Sequence, residues 1–132
     1  MNSIKFRAWD GRNEQLAYSD REDCFYIDKK GAFFMYAVPK SESGLITEYY
    51  KSYDLMQFIG LKDGDNNELY QGDIIEDHIG IGVIVWCDKN CSFKVSYRKG
   101  NMGKWFLDYT DNELKTILRI GNVYEDKGLL ND

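Results

Sequence analysis

The sequence predicts a mainly β (α+β) fold, on three observations. The chain has 132 residues, which is enough for one ordinary domain or for two small subdomains that share a core. Aromatic residues make up 15% of it, with 10 Tyr and 7 Phe, and aromatic side chains fit the half-buried surface of a pleated sheet. Short apolar segments are separated by polar, glycine-containing turns along most of the length, which is the pattern of consecutive short strands.

Residues 1–55 are predicted to form an N-terminal β-hairpin subdomain. Apolar residues alternate with charged ones over residues 4–8, and a second apolar segment follows at residues 16–18. The pair Asp10-Gly11 lies between them, and an Asp-Gly pair in this position predicts a hairpin turn.

A second hairpin is predicted from residues 24–28 and 32–38, which flank a Lys-Lys-Gly turn. Residues 39–44 are polar and predict a flexible loop. Residues 45–53 fit two structures, because their alternation is poor and a short helix would place three tyrosines on one face. The sequence leaves open whether this segment is a strand or a helix.

Residues 56–132 are predicted to form a small, partly open SH3-like barrel. The pair Gly72-Asp73 introduces two apolar residues, and Gly82 begins the next apolar segment. Five short strands separated by short turns form a β-meander that can curl into such a barrel. Thr110 and Glu113 have the spacing of a capping box, which predicts a brief helix before the last strand. Eight residues are expected to be mostly buried in strands: Ile74, Val83, Val85, Phe93, Val95, Trp105, Leu118 and Val123.

Four residues are predicted to shape structural turns: Asp63, Asn66, Gly72 and Asp73. Asp63 begins an Asp-x-Asp-x-Asn pattern like the first half of a calcium loop, but Glu68 stands where such a loop needs glycine. The same residue types favour a tight turn, so we expect a turn and no calcium site. Asp73 is expected to accept local hydrogen bonds at a strand entrance.

Positive charge is concentrated in one segment of an acidic chain. The net charge is −5, from 17 basic and 22 acidic residues, yet five cations and no acid lie between residues 89 and 107. Without those five the rest of the chain carries −10 (−5 minus +5). We interpret the five as a candidate interaction surface, the basic segment: Lys89, Lys94, Arg98, Lys99 and Lys104.

The basic segment suits either a protein partner or a nucleic acid. Aromatic residues are interleaved with its cations, as in small barrels that bind single strands. However, alternation over residues 93–97 favours apolar side chains pointing inward and Lys94 pointing into water. An acidic protein is also a poor general binder of DNA or anionic membrane. Nucleic-acid binding is therefore the alternative, and protein contact is the first expectation.

The sequence predicts no catalytic site, metal site or cofactor. Cys87, Cys91, His78 and Cys24 could supply four metal ligands, but they lack the close paired spacing that structural zinc sites favour. There is one histidine, and no serine or cysteine lies in a nucleophile motif. An odd number of cysteines and no signal-like N-terminal segment lead us to expect reduced thiols in the cytoplasm of a bacterial host, without a membrane partner.

Three blocks of the sequence resemble the YopX family of phages and prophages of Gram-positive bacteria. They are residues 4–10, residues 56–75 and residues 120–125, and their order and spacing match over nearly the whole chain. The resemblance implies a mainly β fold with a small SH3-like barrel in the C-terminal part, and it implies no reaction, because the family's biochemical role is not established.

Two departures from the family pattern affect the local structure. Asn66 stands where the family usually has glycine, and asparagine tolerates the left-handed conformation that such a turn needs. Residues 126–128 replace the usual Asn-Pro, which makes a C-terminal helix less secure. On the whole, the expected protein is a non-enzymatic phage or prophage accessory protein that acts through protein–protein contacts with its own copies and with phage or host proteins.

Overall fold

The computed structural model describes residues 4–20, 25–28, 31–40, 44–52 and 54–131. Within these residues it has eleven strands, one four-residue α-helix and two short 3-10 helices. One sheet curls into a half-barrel. The predicted mainly β fold is therefore confirmed. In the described part of the chain, no helix has the length and apolar character needed to cross a membrane.

The strands follow one another in the order β1 Phe6–Asp10, β2 Gln15–Tyr18, β3 Phe25–Asp28, β4 Gly31–Lys40, β5 Gly44–Ser52, β6 Leu55–Lys62, β7 Glu68–Tyr70, β8 Asp73–Glu76, β9 Ile81–Cys87, β10 Ser92–Tyr97 and β11 Leu118–Asn122. The helical elements are a 3-10 helix at Phe106–Asp108, helix α1 at Asp111–Leu114 and a second 3-10 helix at Lys127–Leu130.

The chain divides into two compact units, and the first is Lys5–Gln57. There β1 pairs antiparallel with β2 and with the start of β6, while β3, β4 and β5 form a separate antiparallel sheet. Its buried centre consists of three alanines, packed by a phenylalanine and a leucine: Ala8, Ala17, Ala32, Phe25 and Leu55.

The ambiguous segment 45–53 belongs to strand β5, apart from residue 53, which lies outside the described residues. The predicted loop 39–44 is wrong at its ends, since β4 runs to Lys40 and β5 starts at Gly44. The pairing of β3 with β4 ends at Phe34, so at Pro39 strand β4 has a neighbour on one side. Proline is tolerated at such a position, because its missing N–H can face the unpaired side.

The second unit is Phe58–Asp132 together with Met1–Ile4. It contains a four-stranded antiparallel sheet in the order β10-β9-β8-β11, and β7 pairs with the end of β6. Seven residues form its buried core: Leu69, Ile75, Ile84, Val95, Tyr97, Phe106 and Ile117. Alternate residues of each strand point to one face, so the buried Ile84 and its register partner Val95 identify the inner face of the sheet.

The predicted burial is correct for Ile74 and Val95, which are fully buried in strands. Val83, Val85 and Phe93 lie in strands but are half-buried. The two valines are on the outer face of the sheet, because Ile84 between them occupies the inner face. Val123 is half-buried in a turn rather than a strand. Leu118 is 40% exposed on β11.

The prediction that Trp105 is buried in a strand is wrong, since Trp105 is 39% exposed and lies outside any strand. A 3-10 helix begins at the next residue, and Phe106 enters the core in its place. The predicted capping box is confirmed: the Thr110 hydroxyl accepts from the N–H of Glu113, and the Thr110 N–H donates to the Glu113 carboxylate. Helix α1 ends just before the last strand.

Candidate functional site

The Asp63 carboxylate is saturated by hydrogen bonds within the protein. Its Oδ1 accepts from the N–H groups of Asp65 and Asn67, at 3.0 and 2.8 Å, and its Oδ2 accepts from the Asn67 amide and from the N–H of Arg119. Burial raises the pKa of Asp63, but the hydrogen bonds from Arg119, Asn67 and Asp65 outweigh burial and hold this pKa below its ordinary value. Asn66 has φ 68°, the left-handed conformation.

Gly72 and Asp73 join three strands at the entrance to β8. Gly72 has φ 89°, its N–H donates to the carbonyl of Ile84 at 2.8 Å, and its carbonyl accepts from the N–H of Val123 at 2.9 Å. Asp73 is 1% exposed, and its Oδ2 accepts from the N–H of Tyr70 at 2.7 Å. The two residues therefore hold β7, β8 and β9 together through these hydrogen bonds.

The structure distributes the basic segment over several surfaces. Lys89 is exposed in the turn before β10, and Lys99 is exposed in the turn after it. The six residues of β10 separate these turns by about 20 Å, at about 3.3 Å per residue. Arg98 donates to the carbonyl of Leu129 at 3.2 Å. The five cations therefore do not form one cluster.

Two lysines of the basic segment lie near aromatic rings. The Lys94 ammonium is 6.0 Å from the centre of the Trp105 ring and 2.9 Å from the Asn90 side-chain oxygen. The Lys104 ammonium is 5.1 Å from the centre of the Tyr109 ring and forms an ion pair with Glu113 at 2.6 Å. Lys94 therefore remains close to an exposed tryptophan, while the charge of Lys104 is already matched.

The candidate metal ligands His78, Cys87 and Cys91 lie at opposite ends of β9. Cys87 ends this strand, Cys91 lies in the turn that follows it, and His78 lies in the turn that precedes it. The seven residues of β9 span about 20 Å, too far for one ion to bind His78 and either cysteine. Cys24 lies outside the described residues. Among the described side chains, no three His, Cys, Asp or Glu residues come together as a metal site.

An apolar cavity of about 390 Å³ opens beside the core of the second unit, and we call it the aromatic groove. Trp86 and Phe93 form one wall. They face each other in the register of β9 and β10, with ring centres 5.1 Å apart in an edge-to-face arrangement. Trp86 is nevertheless 44% exposed. The full lining is Ile59, Gly60, Leu61, Trp86, Cys91, Ser92, Phe93, Phe106, Tyr109, Asp111 and Leu114.

The aromatic groove follows from the strand pattern and from α1. Trp86 and Phe93 lie two residues beyond Ile84 and before Val95, so they continue the inner face of the sheet past the closed core. Phe106 stacks on Tyr109 with ring centres 4.9 Å apart. Leu114 on the capped helix α1 also lines the groove. The groove is the part of the inner face that the core leaves open.

A second cavity of about 310 Å³, lined in part by Asp77, Lys104 and Glu113, lies near the turn between β8 and β9. Asp77 accepts the phenolic hydrogen bond of Tyr97, and its other oxygen accepts from the N–H groups of Ile79 and Gly80. Burial and then the bond to Asp77 raise the pKa of Tyr97, so its phenol stays protonated. Asp77 therefore fixes both the turn and the tyrosine, and its hydrogen-bonding capacity is used within the fold.

The comparisons with known proteins support the same fold. The sequence profile of a family described as YopX protein matches residues 5–131. The crystal structure of protein EF1440 from Enterococcus faecalis is similar to this chain with a TM-score of 0.52 and 22% sequence identity, over 99% of this chain and 100% of that one. At this identity the likeness concerns the fold. No curated protein matches the sequence.

Proposed function

The chain belongs to the YopX family, and we propose that it is a non-enzymatic binding protein that acts through protein–protein contacts at the aromatic groove. One observation carries the proposal: Trp86 is 44% exposed while its ring already packs against Phe93 at the rim of an apolar cavity. A large aromatic side chain held in place beside a cavity is the usual anchor of a protein interface.

The chemistry of the groove supports binding rather than catalysis. Among its described lining residues, Asp111 is the charged one, and the other polar side-chain groups are the Cys91 thiol, the Ser92 hydroxyl, the Tyr109 phenol and the Trp86 indole N–H. A catalytic site needs acid, base or nucleophile groups in mutual hydrogen-bond reach. The acids nearest to such a role, Asp63 and Asp77, use their oxygens to fix turns.

We also propose a fold type for the second unit, a cellular location and partners. The second unit is an SH3-like, partly open barrel of the kind that the resemblance implied, and the aromatic groove is its open part. The protein works in the cytoplasm of a bacterial host that carries the phage or prophage. Its partners there include phage or host proteins, and its own copies through the charge difference between the basic segment and the rest of the chain.

Two matched tryptophan variants test the proposal. Trp86→Ala removes the anchor of the groove, whereas Trp105→Ala removes a comparably exposed tryptophan, at 39%, that does not line it. Each immobilised protein is offered a nuclease-treated lysate of a Gram-positive host, and the retained proteins are quantified by mass spectrometry. Proteins retained by the parent and by Trp105→Ala, and lost with Trp86→Ala, are the expected result. Equal retention by both variants contradicts the proposal, provided that both unfold at the parent's temperature.

A second candidate function, binding of single-stranded nucleic acid, rests on Lys94 and Trp105. An exposed tryptophan with an ammonium group 6.0 Å from its ring offers a stacking surface and a phosphate contact together. The same two variants distinguish this function. Oligonucleotide binding that weakens with salt and is lost in Trp105→Ala but kept in Trp86→Ala would favour nucleic acid over protein as the partner.

A further inference from the structure

The exposed aromatic surface of the aromatic groove is concentrated on Trp86. Its ring packs against Phe93 with ring centres 5.1 Å apart and ring planes at 71°, yet 44% of Trp86 stays exposed. Phe106 is buried, and Phe93 and Tyr109 are half-buried. Part of the Trp86 side chain is therefore open to a further group that enters the groove.

The described lining includes four aromatic rings, those of Trp86, Phe93, Phe106 and Tyr109. An aromatic ring has a negative face and a positive edge, so it attracts a second ring edge-to-face or in an offset stack. The groove already contains an edge-to-face pair, Trp86 with Phe93, and a stacked pair, Phe106 with Tyr109. A further ring can add to such contacts, whereas a saturated side chain of equal size has only its apolar area to bury.

The size of the groove suits one such ring. Its volume of about 390 Å³ lies near the lower end of the range of roughly 300–1,000 Å³ for ligand sites. An interface anchor is typically one large side chain that fills a pocket on the partner. The groove therefore has room for the side chain of one partner residue rather than for a helix.

Charges of both signs lie around the groove. Asp111, the charged residue among the described lining, is exposed in the first turn of α1. The turn between β9 and β10 exposes Asp88 and Lys89 side by side, and Lys94 follows on β10. A charged group of either sign would meet attraction and repulsion together, and it would lose hydration in a largely apolar lining. The complementary group is therefore neutral.

We propose that the aromatic groove binds one neutral aromatic side chain of a partner protein, and that the ring of Trp86 selects it over an aliphatic side chain of the same size. This inference rests on the proposed function, because it names the residue type by which the partner is held in the same groove.

Two blocked amino acids of matched shape test the inference on the intact protein. N-acetyl-phenylalaninamide carries an aromatic ring, and N-acetyl-cyclohexylalaninamide carries the saturated counterpart, which is more apolar. Apolar burial alone would favour the saturated compound, so the opposite order isolates the aromatic contribution. Titrations followed by the NMR shifts of the tryptophan indole N–H signals should show the aromatic compound binding roughly two- to tenfold more tightly at Trp86. The signal of Trp105, which does not line the groove, should not move.

Trp86→Leu and Trp105→Leu are the matched variants. Trp86→Leu keeps an apolar side chain but removes the ring, so it should bind the two compounds equally or favour the saturated one. Trp105→Leu should keep the preference of the parent. A carboxyl or an aminomethyl group added to the phenyl ring should weaken binding to the parent, because both introduce a charge.

The outcomes separate this inference from the proposed function. Equal affinity of the two compounds at Trp86, or a preference that survives in Trp86→Leu, would overturn aromatic selection and leave groove binding intact. Tighter binding of either charged derivative would overturn the neutral character of the occupant. The comparison of the two compounds on the parent needs no variant, so it decides the inference even if Trp86→Leu does not fold. If neither compound binds at Trp86, the inference fails, while the lysate comparison decides the proposed function independently.

Discussion

The carboxylate of Asp63, in the turn after β6, accepts a hydrogen bond from the N–H of Arg119 in β11 at 2.8 Å, across 56 residues of sequence. The turn is fixed at a second point, just before β11, where the N–H of Gly64 donates to the carbonyl of Ile117 at 2.8 Å. A strand at the edge of the sheet is thereby joined to a distant turn. This connection replaces the ladder that β11 lacks on its outer side.

Replacing Asp63 should destabilise the protein. Asp63→Ala loses four hydrogen bonds to one carboxylate and leaves the Arg119 N–H without its acceptor, which should lower the free energy of unfolding by about 3 kcal/mol. Urea unfolding at pH 7 measures this. The control is Asp65→Ala, whose side chain is exposed in the same turn and which should change stability by less than about 0.5 kcal/mol. Equal losses in the two variants would contradict the role of the Asp63 carboxylate.

The same carboxylate predicts a loss of stability in acid. The pKa of Asp63 is lower in the folded protein than its ordinary value of 3.8. The ionised carboxylate is therefore more stable in the folded state than in the unfolded state, and ionisation adds to the free energy of unfolding. Its contribution is complete above pH 3.8 and is lost as the pH falls below that value through the folded pKa. Asp63→Asn removes this titration. Unfolding free energies measured from pH 6 to pH 2.5 should therefore converge for the parent and Asp63→Asn as the pH falls, and a constant difference would oppose the prediction.

Gly64 should not tolerate a side chain. A Cβ atom at this position would clash with the carbonyl oxygen of Lys115 and lie 3.4 Å from that of Ile117, and backbone atoms cannot move aside as a side chain can. Gly64→Ala should therefore cost at least about 2 kcal/mol. Gly128→Ala is the control, because nothing lies within 4 Å of a Cβ there, and its effect should stay within about 0.5 kcal/mol. Thermal or urea unfolding of the two variants decides the point.

Asp73 should contribute through a local hydrogen bond. Its Oδ2 accepts from the N–H of Tyr70 at 2.7 Å in a buried turn, so Asp73→Ala should lower the free energy of unfolding by about 1 kcal/mol or more. An unchanged unfolding transition would contradict this role.

The sequence predicts most strands of the β-meander, but for β9 it assigns the wrong residues to the buried face of the sheet. Alternation over residues 93–97 identified Val95 as inward, because charged and polar residues mark the other face. Residues 83–86 are all apolar, so their periodicity could not show that Ile84, and neither Val83 nor Val85, enters the core. The sequence likewise could not show which of the adjacent Trp105 and Phe106 is buried. The 3-10 helix that begins at Phe106 directs Phe106 into the core and leaves Trp105 exposed.

The aromatic groove could not be predicted from local patterns. Its walls come from β6, β9, β10, the 3-10 helix at Phe106–Asp108 and α1, which are brought together by the fold over more than 50 residues. A local signal existed in Trp86, a large aromatic residue at the end of an apolar strand and just before a polar turn. The link from Asp63 to Arg119 left no signal of its own, since the turn composition explained Asp63 completely.

Self-association of the protein should depend on the basic segment. Lys94, Arg98 and Lys99 are positively charged, while the chain outside the basic segment is negatively charged, so they can attract a second copy. Lys104 is already paired with Glu113. Exposed ion pairs contribute little individually, so the charge should steer association while apolar contacts supply most of the affinity. Replacing Lys94, Arg98 and Lys99 with Glu should therefore weaken a homo-oligomer, and raising the salt concentration should weaken the parent's association in the same direction.

A charge-matched control separates a local effect from the change in net charge. Replacing Lys62, Lys115 and Lys127, which are all exposed, with Glu changes the net charge equally outside the basic segment. Sedimentation of both variants and the parent at low and high salt should show dissociation of the first variant at concentrations where the control stays associated. Equal dissociation would assign the effect to general repulsion between copies. A parent that is monomeric at every concentration would contradict self-association, and the basic segment would then have to serve a different partner.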